Sequence, residues 1–180
     1  MLPIGGRNSD VSPIAISDVE LISVQENNGN TADCDPLDLP FPVADHASVM
    51  IEEGILTCGG TTTSTATNTS TSNGTTSISL TSNCNILAAF GGIRSFPPMI
   101  SDGRDFKMVL VNDVVYALGK NSSERSMETI HVKNATHWTQ ESLPINVSDS
   151  CVVTMSNKIF VIGGNDLETG DVSKICLLSK

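Results

Sequence analysis

The sequence predicts an all-β protein made of repeated antiparallel sheets, a propeller-like array only part of which is present. Three observations predict it. A hairpin signal that runs into glycine occurs three times, at residues 46–60, 106–120 and 150–164. The strand segments inside each copy are apolar and β-branched. Each repeat closes on Leu-Pro or Phe-Pro: Leu39-Pro40, Phe96-Pro97 and Leu143-Pro144. With the glycines superposed, Val49, Val109 and Val153 coincide, and Glu53, Asp113 and Asn157 share the turn column. Residues 2–6, ending in Gly5-Gly6, read as the tail of a further copy. The glycine positions recur roughly every 44 to 60 residues, around the period of propeller blades.

Within a copy, residues 109–111 and 114–118 read as two strands, and Asn112-Asp113 as the two-residue turn between them. Continuous apolar character implies that both faces of the strands are covered. The first glycine is expected to take positive φ, or to admit another backbone, where the second strand ends. Lys120 replaces the second glycine of the middle copy, so that position is the less constrained. Residues 126–132 form the third strand candidate, 134–136 a turn, and Trp138 opens the fourth. Cys34, Phe90 and Trp138 stand six or seven residues before the three prolines, as the apolar start of each last strand.

These features resemble kelch repeats, whose motif is an apolar hairpin, a Gly-Gly doublet, a Tyr-like position and a Trp beyond it. His131 stands at the Tyr position and Trp138 at the Trp; only this unit carries the whole pattern, apart from Lys120. Cys34 through Leu39-Pro40, with Cys58-Gly59-Gly60 and Cys84, is similar to secreted kelch-type proteins of invertebrates. The resemblance implies a partial kelch-type β-propeller of about three to four antiparallel four-stranded blades. Residues 1–43 would be an incomplete blade, 44–100 a blade with a Thr/Ser-rich loop at 61–76, 101–149 a blade, and 150–180 an incomplete one. Gly5, Gly6, Gly59, Gly60, Gly119, Gly163, Gly164 and Trp138 would be its structural residues. Both ends would fall inside blades, so the remaining blades of a longer chain, or self-association, are expected to cover the outer faces.

Composition narrows the function classes. Twenty acidic against ten basic residues give a formal charge of −10, with no basic stripe for phosphates or an anionic membrane surface. No apolar run reaches the length of a membrane span. No leader pattern precedes residue 5.

The five cysteines leave two readings. Cys58 ends the second strand of its unit and Cys84 lies on the third, so their sulfurs could bridge if the strands pair in register. Such a bridge implies an oxidising compartment. Otherwise the cysteines are buried free thiols acting as small apolar residues. Glycosylation sequons begin at Asn68, Asn73, Asn121, Asn134 and Asn146, all in predicted loops or turns. The tract 61–76, nearly all Thr, Ser and Asn, is expected to be a mobile surface insertion.

No catalytic constellation assembles, and no cofactor or metal is expected. His46, His131 and His137 are scattered, and Tyr116 sits in an apolar strand. Gly91-Gly92 reads as a doublet inside a last strand, not a phosphate loop. Asp166, Glu168 and Asp171 read as a solvated acidic loop, without the downstream ligand of an EF-hand. The expected function is a non-enzymatic module that binds a protein or glycan through its inter-strand loops. The alternatives are a piece of a galactose-oxidase-like enzyme and the recognition propeller of an intracellular ubiquitin-ligase adaptor. Sequons and the Cys58/Cys84 pair favour an extracellular location over a cytoplasmic one.

Overall fold

A computed structural model describes residues 4–8, 14–19, 37–66, 75–88, 91–119, 126–143, 150–166, 170–171 and 175–178. These are strands, turns and one short 3-10 helix, with no α-helix among the described residues. The chain is all-β. It folds into two compact units: Met1–Asp45 with Thr61–Ser79, and His46–Gly60 with Leu80–Lys180.

The first unit is a five-stranded sheet in the order β1 (Ile4–Asn8), β2 (Ile14–Val19), β3 (Leu37–Ala44), β6 (Thr61–Ala66), β7 (Thr75–Leu80). Two departures from the sequence reading lie here. Gly5 and Gly6 fall inside β1, opposite β2, rather than beyond a strand end. Leu39-Pro40 lies within β3, where the register against β2 shifts between Ile16 and Asp18. Pro40 and Pro42 have no N–H to give a ladder, so the strand is irregular at the prolines instead of ending there.

The Thr/Ser tract also differs from expectation, since both of its ends are strands. Thr61 and Thr62 pair with Ala44 and Val43 of β3. Threonine is β-branched and favours extended backbone, and ladder hydrogen bonds hold a strand without an apolar side-chain run. Residues 67–74 lie outside the described residues.

The second unit holds three antiparallel sheets. The first is β4 (Ala47–Ile51), β5 (Gly54–Cys58), β8 (Cys84–Ala88), β9 (Ile93–Phe96). The middle sheet is β10 (Lys107–Val111), β11 (Val114–Leu118), β12 (Ser126–His131), β13 (Thr139–Ser142). The third is β14 (Cys151–Met155), β15 (Lys158–Ile162), β18 (Ile175–Leu178). A two-stranded ladder of β16 (Asn165–Asp166) and β17 (Gly170–Asp171) occupies the segment read as an acidic loop. Gly91 and Gly92, expected within a strand, instead turn the chain from β8 into β9 with φ of 91° and 88°. Their turn is closed by hydrogen bonds between Ala88 and the two glycines.

Turn chemistry sets the hairpins. Asn112 and Asp113 take φ of 49° and 63°, and Ser156 and Asn157 take 51° and 59°. Positive φ at both central residues gives the type I′ twist that matches flanking strands. Glu52-Glu53 cannot share that solution cheaply, and the positive φ passes to Gly54 at 142°.

The sheets stack because each strand alternates its apolar residues. Met108, Val115, Ala117 and Ile130 of the middle sheet pack against Ile51, Leu56 and Ile86 of the first. Val109, Val111, Tyr116 and Leu118, one residue out of phase, pack against Ile159 and Val161 of the third. The middle sheet is therefore covered on both faces, as its continuous apolar strands predict. The leading strands adjoin one another, β4 beside β10 and β10 beside β14.

Candidate binding surface

The connection from the first sheet to the middle one, residues 97–105, is held at several backbone points. The indole N–H of buried Trp138 donates to the Pro97 carbonyl at 2.9 Å. The Met99 N–H donates to the Ser82 carbonyl at 2.9 Å. Glu128, buried on β12, accepts from the Ile100 N–H at 2.8 Å, the Ser101 N–H at 3.1 Å and the Ser101 hydroxyl at 2.7 Å. A buried carboxylate requires such partners, and charge-assisted bonds are the stronger kind.

The glycine doublet receives the end of this connection. Gly59 has φ 66°, and a Cβ there would lie 2.6 Å from the Phe106 ring, so only glycine lets Phe106 bury itself. The Gly60 N–H donates to the Gly103 carbonyl at 2.7 Å, and its own carbonyl accepts from the Thr81 N–H at 3.0 Å. Gly119 and Gly163, the leading glycines of the other copies, have φ of 79° and 66°. At Gly59-Gly60, glycine thus marks where the first sheet accepts the entry of the middle one.

On this clamped backbone Ile100, Asp102, Arg104 and Asp105 are exposed. Arg104 and Asp105 form an ion pair at 3.4 Å, which at such exposure contributes little stability. An apolar side chain flanked by both charge signs on fixed backbone has the makings of a recognition loop. In an antiparallel meander the connections between sheets leave from the same end as the β11–β12 connection. The opposite end carries the tight turns. There Lys133 pairs with Asp113 at 2.8 Å. That hydrogen bond and the carboxylate's charge hold the Lys133 ammonium above its ordinary range.

The sequence-derived residues distribute as follows. Cys58 and Cys84 form a disulfide, their Cα atoms 4.1 Å apart. They face each other in register across β5 and β8. The Gly59 N–H bonds the Asn83 carbonyl beside them. The cysteines therefore occupy the close, non-hydrogen-bonded type of antiparallel site. Cys151 is an exposed free thiol, and Cys34 lies outside the described residues.

Asn134 is exposed on the 3-10 turn Val132–Asn134 at the tight-turn end. Asn68, Asn73, Asn121 and Asn146 lie outside the described residues. Gly164 follows β15 with φ 104°. Tyr116 is buried toward the third sheet. His46 precedes β4, while His131 and His137 are exposed at the tight-turn end, His137 Nδ1 lying 2.9 Å from the Thr136 hydroxyl. The structure does not gather the three.

Sequence reasoning missed Glu128 and a second column. Asp45 and Asp105, immediately before aligned His46 and Phe106, take φ of 57° and 60°, and Asp149 continues the column in sequence. Aspartate tolerates the left-handed region that this strand entry uses. The alignment could have shown the column. Glu128 carried a subtler sign, a carboxylate between Met127 and Ile130 in a strand candidate.

Among the described residues no His, Cys, Asp and Glu side chains cluster as a metal site, and no helix is long and apolar enough to cross a membrane. No protein-family model matches the sequence, and no curated protein is similar to it.

Proposed function

We propose that this chain is a kelch-type propeller module that binds a protein or glycan, outside the cell and without catalysis, through the glycine-doublet end of its sheets. The observation that carries the reading is the connection 97–105, which exposes Ile100, Asp102, Arg104 and Asp105 on a backbone fixed by Trp138, Glu128 and Gly60. Side-by-side sheets with adjoining leading strands suit the packing of propeller blades. The Cys58–Cys84 bond suits an oxidising compartment.

The test is a screen of immobilised glycans and cell-surface ectodomains, followed by substitution at each end. Ile100→Ala, Asp102→Lys and Arg104→Glu are expected to weaken any hit about tenfold or more, roughly 1.4 kcal/mol. Glu52→Lys, Glu53→Lys and Asn112→Ala should leave it within twofold. The reverse pattern would place recognition at the tight-turn end and refute the reading.

The same reading makes Asn134 a glycan acceptor, since its side chain is exposed and Thr136 completes the sequon. Secretion from a eukaryotic cell should yield an Asn134-containing peptide whose mass falls on enzymatic deglycosylation, and Asn134→Gln should remove that shift. An unmodified peptide from secreted protein would rule the site out.

A further inference from the structure

The third sheet buries one face and exposes the other. Val152, Ile159 and Val161 turn toward the middle sheet. Val153, Met155 and Ile162, on the opposite face, are 42%, 63% and 41% exposed, with Phe160 half-buried among them. The chain itself shows what such a face takes. In the hairpin alignment these four residues occupy the columns of Val109, Val111, Tyr116 and Leu118, which are 8%, 9%, 8% and 4% exposed. In the middle sheet those columns are covered by another sheet of the same repeat.

We infer that the 180-residue chain pairs with a second copy of itself through this face, third sheet against third sheet about a two-fold axis. A head-to-tail arrangement would need the unmatched face of the first sheet. There Thr57, Asn85 and Leu87 are already buried, leaving Ser48 and Met50 exposed. Among the described side chains of the third sheet's face, Val153, Met155, Phe160 and Ile162 are apolar, and Lys158, opposite Met155 at the hairpin end, is cationic. An isologous pairing closes at two copies.

The size sets the strength. Three strands about 4.8 Å apart and about five residues long at 3.4 Å each span roughly 250 Å² per copy. Two such faces fall well below the ~1,600 Å² of a standard stable interface. The pairing is a weak one, visible at tens to hundreds of micromolar rather than nanomolar concentration.

Sedimentation velocity of the full chain across that range tests it. The wild type is expected to move from monomer to dimer and stop there. Met155→Glu and Val153→Lys, at already exposed positions, should raise the dissociation constant at least tenfold, while Met50→Glu should not. Cys151 lies two residues from Val153 on the same face, so its labelling by a maleimide, read by peptide mass spectrometry, should slow as wild-type concentration rises. A monomer throughout, open-ended oligomers, or a dimer indifferent to both substitutions would overturn the inference. If the variants misfold by circular dichroism, concentration-independent labelling of wild-type Cys151 would overturn it alone.

Discussion

Replacing Glu128 by alanine is expected to destabilise the second unit by about 3 kcal/mol. Three donors, the Ile100 and Ser101 N–H groups and the Ser101 hydroxyl, lose their charged acceptor together. Hydrogen bonds to a charged group contribute about 1.5–3 kcal/mol each, and a donor left unsatisfied costs about 1–3. The sum is cut back because Ile100 is exposed and Ser101 half-buried, so water can reach part of the site. Glu128→Gln should cost less, about 1–2 kcal/mol, because one acceptor oxygen survives. Glu53→Ala, at an exposed turn, should stay within about 0.5 kcal/mol. Urea melts would decide it, and equal midpoints for Glu128→Ala and Glu53→Ala would show that the carboxylate does not hold the connection.

Loss of the Cys58–Cys84 bond should have an effect of similar size. The cysteines are 26 residues apart, a loop for which chain-entropy reasoning gives about 3.5 kcal/mol. Cys58→Ala with Cys84→Ala should therefore lower the denaturation midpoint sharply, and a reductant should lower that of the wild type. Cys151→Ser, at an exposed thiol, should not. A reductant that leaves the wild-type midpoint unchanged would mean that the bond adds nothing to the paired strands.

The sequence disclosed what is local. Asn112-Asp113 and Ser156-Asn157 announce their hairpins because the turn fixes the register. The Cys58/Cys84 facing depends instead on the register of β5 against β8, which no tight turn fixes, so the sequence left the bond an open choice. The first unit was illegible for a physical reason. β3 and β6 pair across an intervening hairpin, so no period or turn signal connects them. The tract beginning at Thr61 read as mobile because it has little apolar surface, yet backbone ladders need none. The clamping of the connection 97–105 was hidden too, since Glu128 holds residues 27 and 28 positions away, a distance at which spacing says nothing.

The passage of the chain from one unit to the other and back has a consequence for its synthesis. The polypeptide enters the second unit at His46, leaves after Gly60 and returns at Leu80. The β4–β5 hairpin can close in about 1–10 μs once it is free of the ribosome. Its next neighbour, β8, begins 26 residues after the end of β5. At roughly 5–20 residues per second that strand arrives seconds later. For that interval the β5 edge stands open, the state in which nascent strands capture wrong partners. The segment emerging meanwhile is the Thr, Ser and Asn tract, whose first strand, β6, finds its partner in β3 at Val43 and Ala44. With that strand placed against β3, the β5 edge is left for β8, and the later joining of Cys58 to Cys84 makes the correct pairing covalent.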